Sequence, residues 1–224
     1  IIRSIFRKKI FMLKPIPKIK FMESLIQYAS DEIIFIVPEM LTTKFYVGHI
    51  IVKFMNSYIE AVYKRIDFNS LKYSENLKLF ATLLMCVSES DQVFSKHSYE
   101  LLLTGIKNTI SDSDFLIHGE IFKSLNLIFN KLSNEIDLVN LVIDIIYYIL
   151  IAHEDDEKVY VDDNMLRLMV NCTVANPTNF RNFLQDNDFN YAEVLDLYSK
   201  KLKTFHTTYN CLINLKKLAS TSDE

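Results

Sequence analysis

Amide side chains recur in this sequence at a spacing suited to recognition chemistry. Asn126, Asn171 and Asn214 stand in three similar apolar stretches, SLNLIF, LMVNCT and CLINLKK, and their separations are 45 and 43 residues. A carboxamide offers a donor and an acceptor side by side, so it can pair with one peptide unit whatever side chain that unit carries. One amide per structural repeat would make a ladder along an extended segment. The plainer account is that asparagine is common in this chain and that these amides satisfy nearby backbone or water.

Catalysis would require a nucleophile with a base, paired carboxylates in a cleft, or a metal set. His49, His97, His118, His153 and His206 are scattered, and none stands at ligand spacing from another His or Cys. Gly48, Gly105 and Gly119 stand alone, so there is no glycine-rich loop to cradle a phosphate. His153 next to Glu154, Asp155, Asp156 and Glu157 could attract a cation, but such a run reads first as a solvated loop. The expectation is a protein that is not an enzyme and has no cofactor, no metal and no small-molecule substrate.

Cys86, Cys172 and Cys211 are odd in number, far apart and set among apolar residues at helical spacing. They read as buried free thiols, which places the chain in an intracellular reducing compartment, cytoplasm or nucleus. Asn171-Cys172-Thr173 matches the glycosylation pattern. Its position inside an expected helix makes that match a coincidence.

A second charged feature lies at the start. Residues 1–20 carry Arg3, Arg7, Lys8 and Lys9, then Lys14, Lys18 and Lys20, with no acidic residue, in a chain whose formal net charge is −3. Ile2, Ile5, Phe6, Ile10 and Phe11 are interleaved with them. Such a basic amphipathic segment can lie on an anionic membrane, touch a nucleic-acid backbone, or cover the exposed apolar end of a helical stack. The first residue is Ile, which reads as a piece of a longer protein.

The elements that must position these residues are helical. Half of the 224 residues are hydrophobic, and there are only three Gly and four Pro, too little turn chemistry for a many-stranded sheet. Helical spacing marks Lys18 to Ala29, then Glu39 to about Ile66 with Gly48 as a dividing point. It continues from a Ser74 cap to Val87, from Val93 to Ile110, from caps at Ser111 to Asp114 as far as Leu132, and from Asn134 to His153. Met165, Leu168, Met169 and Cys172 form the stripe of a further helix that ends near Ala175, because a residue before proline leaves the α region. The last helices run from Tyr191 to Leu202 and from Thr204 to Ala219. Ile33 to Val37 reads as a short strand or as the end of a buried helix before Pro38. The longest apolar run, Leu138 to Ala152, is broken by Asn140 and Asp144, so it reads as a buried helix and not a membrane span.

These helices repeat. Sliding the sequence by 86 superposes Leu79 on Met165, Phe80 on Leu166, Leu83 on Met169 and Cys86 on Cys172, while Ile121, Phe122, Leu125 and Ile128 repeat the same face halfway between. The steps, 42 and 44 residues, lie within the roughly 40–47 of armadillo and HEAT repeats. The corner after Ala175 sharpens this: Asn171 in the last turns of a helix is followed by Asn176, Pro177, Asn179 and the aromatic Phe180. That sequence resembles the armadillo repeat. The resemblance implies a third helix in each repeat lining a concave groove, with Asn126, Asn171 and Asn214 hydrogen-bonding the main chain of an extended partner peptide. No Trp is present and Leu84 or Met85 stands where the ladder would continue, so the array by which importin-α-like proteins hold basic signals is missing.

The sequence therefore predicts an all-α fold, a right-handed α-solenoid of armadillo/HEAT-like repeats over residues 21–219, with the basic segment 1–20 before it and a frayed tail 220–224 after it. The expected function is a non-catalytic scaffold for protein–protein interaction, holding an extended peptide segment or the subunits of a larger assembly. The alternatives are a nucleic-acid- or membrane-associated adaptor acting through residues 1–20, and a regulatory subunit of an enzyme complex.

Overall fold

In the computed structural model the described residues are 48–68, 73–90, 93–110, 115–152 and 163–176, together with Ser24, Gln27 and Thr178. Among them every regular element is an α-helix, and the chain divides into two units, Ile1–Thr109 and Ile110–Glu224. The all-α expectation holds for these residues. The basic segment 1–20, the run Ile33 to Val37, the two last helices and the tail 220–224 lie outside them.

The first unit contains α1 (Gly48–Arg65), α2 (Tyr73–Ser88) and α3 (Lys96–Lys107). α1 buries Met55, Tyr58, Ile59 and Val62, the i, i+3, i+4, i+7 stripe, and places Lys64 and Arg65 in the last turn, where cations complement the helix dipole. Of the expected Glu39 to Ile66 pattern α1 covers the part from Gly48 to Arg65, and residues 39–47 lie outside the described residues. In α2 Ser74, the expected cap, is itself helical, and the helix buries Leu77, Phe80, Leu84 and Val87 as the spacing requires. α3 starts later than Val93. Ser95 is its N-cap, held extended with its hydroxyl accepting from the Ser98 N–H at 3.1 Å.

α3 packs against both α1 and α2. Two devices set that packing. Asn56 of α1 accepts at Oδ1 from the Ser98 hydroxyl at 2.6 Å and from the Ser95 N–H at 3.3 Å, so the start of α3 is tied to the middle of α1. At the other end Gly105 faces Phe80, and a Cβ there would overlap the phenyl ring. Phe80 is fully buried and its ring lies parallel to Phe68 at 6.2 Å, with Tyr63 edge-on to it at 6.4 Å. The absence of a side chain at Gly105 is what admits that ring between α2 and α3.

The second unit contains α4 (Phe115–Leu132), α5 (Ile136–Ile151) and α6 (Asp163–Ala175), each packed on the other two. α4 buries Ile121, Phe122, Leu125, Ile128 and Phe129. At about 1.5–3 kcal/mol for each fully buried large apolar side chain, this stripe outweighs any single cap of about 1 kcal/mol. α4 and α5 are joined by a short turn closed by Ser133 N–H to Phe129 C=O at 2.8 Å and Glu135 N–H to Leu132 C=O at 2.9 Å. α5 buries Leu138, Val139, Val142, Ile143, Ile145, Ile146 and Ile149, a broad apolar face that agrees with its reading as a buried helix, while Ile136, Asp137 and Tyr148 are exposed. No described helix is long and apolar enough to cross a membrane.

α6 ends at Ala175, where the Asn176-Pro177 corner predicts. Asn176 closes it twice, its N–H donating to Cys172 C=O at 2.9 Å and its amide donating to Asn140 Oδ1 of α5 at 3.2 Å. Pro177, Asn179 and Phe180 lie outside the described residues. The apolar residues that the internal alignment superposes are buried in both units. Leu79, Ile121 and Met165 are all buried, as are Phe80, Phe122 and Leu166, and Leu83, Leu125 and Met169. Cys172 is buried with them, whereas Cys86 is half-buried, so the two thiols are not fully equivalent.

Candidate functional site

The exposed face of α4 and α6 carries the candidate site, and its geometry begins with two turns of each helix. Burying Ile121, Phe122, Leu125 and Ile128 on one side of α4 leaves Lys123, Asn126 and Leu127 on the other. Burying Met165, Leu168, Met169 and Cys172 turns Asn164, Arg167, Val170 and Asn171 outward on α6. These seven residues line an open hollow of about 460 Å³.

Asn126 is the hub of the hollow. Its Nδ2 donates to the Asn164 carbonyl at 2.6 Å and back to the Phe122 carbonyl of its own helix at 3.1 Å, while its Oδ1 accepts from Asn171 Nδ2 at 3.3 Å. Both N–H groups of Asn126 are therefore spent within the protein. Asn171 has spent only one of its two, and among the described residues its carbonyl oxygen has no hydrogen-bond partner. A donor and an acceptor are thus left together on a half-buried amide facing the hollow. Of the three predicted asparagines the structure brings Asn126 and Asn171 together, and Asn214 lies outside the described residues.

Two cations flank the amides. Lys123 Nζ is 3.8 Å from Glu120, and Arg167 donates from Nε to Asp163 Oδ2 at 2.8 Å, both pairs lying within one helix and open to water. Leu127 supplies apolar surface, 59% exposed, and Val174, one turn beyond Val170 on α6, is 75% exposed. Lys123, Leu127, Asn164, Arg167 and Val170 were not predicted as site residues. The signal was present, since Lys123 and Arg167 lie three and four residues before Asn126 and Asn171, Leu127 and Val170 adjoin them, and Asn164 lies two turns before Asn171 on the same helix.

The remaining reactive groups lie elsewhere. Burial pushes the Cys86 thiol up to about 12, with the Glu89 carboxylate adding to the shift. Burial also raises the Cys172 thiol, and it raises the Tyr58 phenol with Cys86 adding. Thiols held neutral in this way are poor nucleophiles. His97 lies 3.7 Å from Glu100 on the surface of α3, His118 is fully buried in α4, and His153 and His206 are outside the described residues. Among the described residues no group of three or more His, Cys, Asp and Glu side chains could hold a metal ion. Arg3, Arg7, Lys8 and Lys9 are likewise outside the described residues.

Comparison with family models, with curated proteins and with solved structures finds no match. The arrangement itself is a shallow amide-floored surface with two cations and exposed aliphatic side chains. It can hydrogen-bond and attract, and it offers no activated nucleophile.

Proposed function

We propose that this protein is a non-catalytic interaction scaffold, a right-handed α-solenoid of armadillo/HEAT-like repeats, and that the α4–α6 face holds a partner segment in extended form. The observation that carries this reading is the pairing of Asn126 with Asn171. Residues 45 apart in sequence, one repeat step, stand 3.3 Å apart through their amides on one open surface. The matched burial of α2, α4 and α6 supports the repeat. Between α2 and α4 the chain has α3 alone, the interval of a two-helix repeat and so nearer the HEAT pattern than the three-helix armadillo one. Cys86 and Cys172, free thiols among the described residues, fit a reducing compartment, cytoplasm or nucleus.

The test is selection of random-sequence peptides displayed against the intact chain, followed by affinity measurement on variants. Asn171→Ala removes the amide with spare donor and acceptor, and the triple variant with Asn126→Ala and Asn214→Ala removes the proposed ladder. At about 0.5–1.5 kcal/mol for each lost hydrogen bond, the triple variant should bind selected peptides about 10- to 1,000-fold more weakly. Selected peptides that hold the triple variant as tightly as the unaltered chain would refute this assignment of the surface.

A further inference from the structure

The same hollow carries information about the charge of its partner. Resting on the reading of this face as a binding surface, we infer that the segment it takes is acidic, presenting carboxylate side chains beside aliphatic ones. The lining holds two cations, three amides and two aliphatic side chains, and no carboxylate. Glu120 and Asp163, which pair with the cations, stand on the flanks of their own helices outside that lining.

Neither cation is fully engaged by its partner. Arg167 uses Nε alone, and among the described residues its two terminal nitrogens have no partner. Arg167 lines the hollow, and a guanidinium with unengaged terminal N–H groups is matched by a carboxylate, which accepts two parallel bonds. Lys123 is 3.8 Å from Glu120 with both side chains more than half exposed, a weak solvated contact that an incoming carboxylate can displace at little cost.

The spacing agrees. Arg167 and Asn171 are four residues apart on α6, about 6 Å along the axis. Side chains on one face of an extended segment recur every two residues, about 6.5 Å. A segment whose main chain meets the Asn171 amide can therefore bring a carboxylate to Arg167, while Leu127 and Val170 take an aliphatic neighbour. A basic segment would find no carboxylate in the lining and would meet Lys123 and Arg167 there as like charges, so it should bind more weakly than an acidic one.

The experiment uses the intact chain and a random-sequence displayed peptide library as probe. Selected peptides should be enriched in Asp and Glu. A selected acidic peptide, synthesised with capped ends, should bind the Lys123→Met/Arg167→Met variant about 3- to 30-fold more weakly than the unaltered chain. Its isosteric Asn/Gln counterpart should be indifferent to that variant. Both substitutions are at exposed positions, and an unchanged melting midpoint establishes that the variant is folded. A pool that is neutral or basic, or acidic peptides indifferent to loss of both cations, overturns the inference. Peptides without charge bias that are nonetheless lost on Asn171→Ala leave the scaffold reading standing while the acidic partner falls. If no peptide is enriched at all, both fall.

Discussion

Replacing Asn126 with Ala should loosen the contact between α4 and α6, and the size of the effect follows from its three hydrogen bonds. The bond to Phe122 C=O stays within α4, where that carbonyl already accepts from the helix ladder, so its loss costs little. The bonds to Asn164 C=O at 2.6 Å and from Asn171 at 3.3 Å cross between helices. At about 0.5–1.5 kcal/mol each they sum to about 1–3 kcal/mol. Ala is the better helix former by up to about 0.7 kcal/mol, leaving a net loss of about 0.3–2.3 kcal/mol. Native-state hydrogen exchange of the α4 and α6 amides reads this unit by itself, and a urea transition followed by circular dichroism gives the total. The decisive measurement is the double-mutant cycle with Asn171→Ala, in which the direct bond should appear as a coupling of about 0.5–1.5 kcal/mol. A coupling indistinguishable from zero would mean that the two amides do not touch, and the site as described would be withdrawn.

Three further outcomes are expected. Gly105→Ala should destabilise by about 1 kcal/mol in thermal melts, because overlap with the buried Phe80 ring costs about 1–3 kcal/mol against a helix-propensity gain of about 1 kcal/mol; in a Phe80→Leu background the same change should be neutral or stabilising. Asn56→Ala should speed hydrogen exchange in the first turn of α3 and cost about 1–2 kcal/mol, since Ser98 and Ser95 lose their shared acceptor on α1, and unchanged protection there would contradict the capping role. The Cys86 thiol is raised to about 12 in the folded chain, so below the unfolded value of about 8.5 it binds a proton in both states and stability is unaffected. Above about pH 8.5 only the unfolded thiol ionises. Stability should then fall, by at most about 1.4 kcal/mol per pH unit for this group, until the folded thiol titrates. Under reducing conditions Cys86→Ala should flatten the alkaline loss of urea resistance by that amount, and an unchanged slope would show that the thiol is not withheld from water.

Local periodicity determined most of the helices. Met55, Tyr58, Ile59 and Val62 or Ile121, Leu125 and Ile128 can each turn to one side only at 3.6 residues per turn, so helix type and buried face follow from order alone. The Asn176-Pro177 corner ended α6 for an equally local reason. The start of α3 was less legible because Val93 and Phe94 continue the apolar spacing, while the choice of Ser95 as cap depends on Asn56, 39 residues away, accepting its N–H.

The hollow required the tertiary arrangement. Sequence placed Asn126 and Asn171 one repeat apart, but their 3.3 Å contact and the capture of the Asn164 carbonyl depend on how α4 packs against α6. The same packing spent both donors of Asn126 internally and left the carbonyl of Asn171 to the surface, a difference that two identical side chains cannot announce. Nor could the sequence show that Gly105 stands over Phe80 or that Cys172 is more deeply buried than Cys86. A helical pattern fixes which side of a helix is dry, whereas the partner each polar group finds there is set by the side chains that the neighbouring helix brings to it.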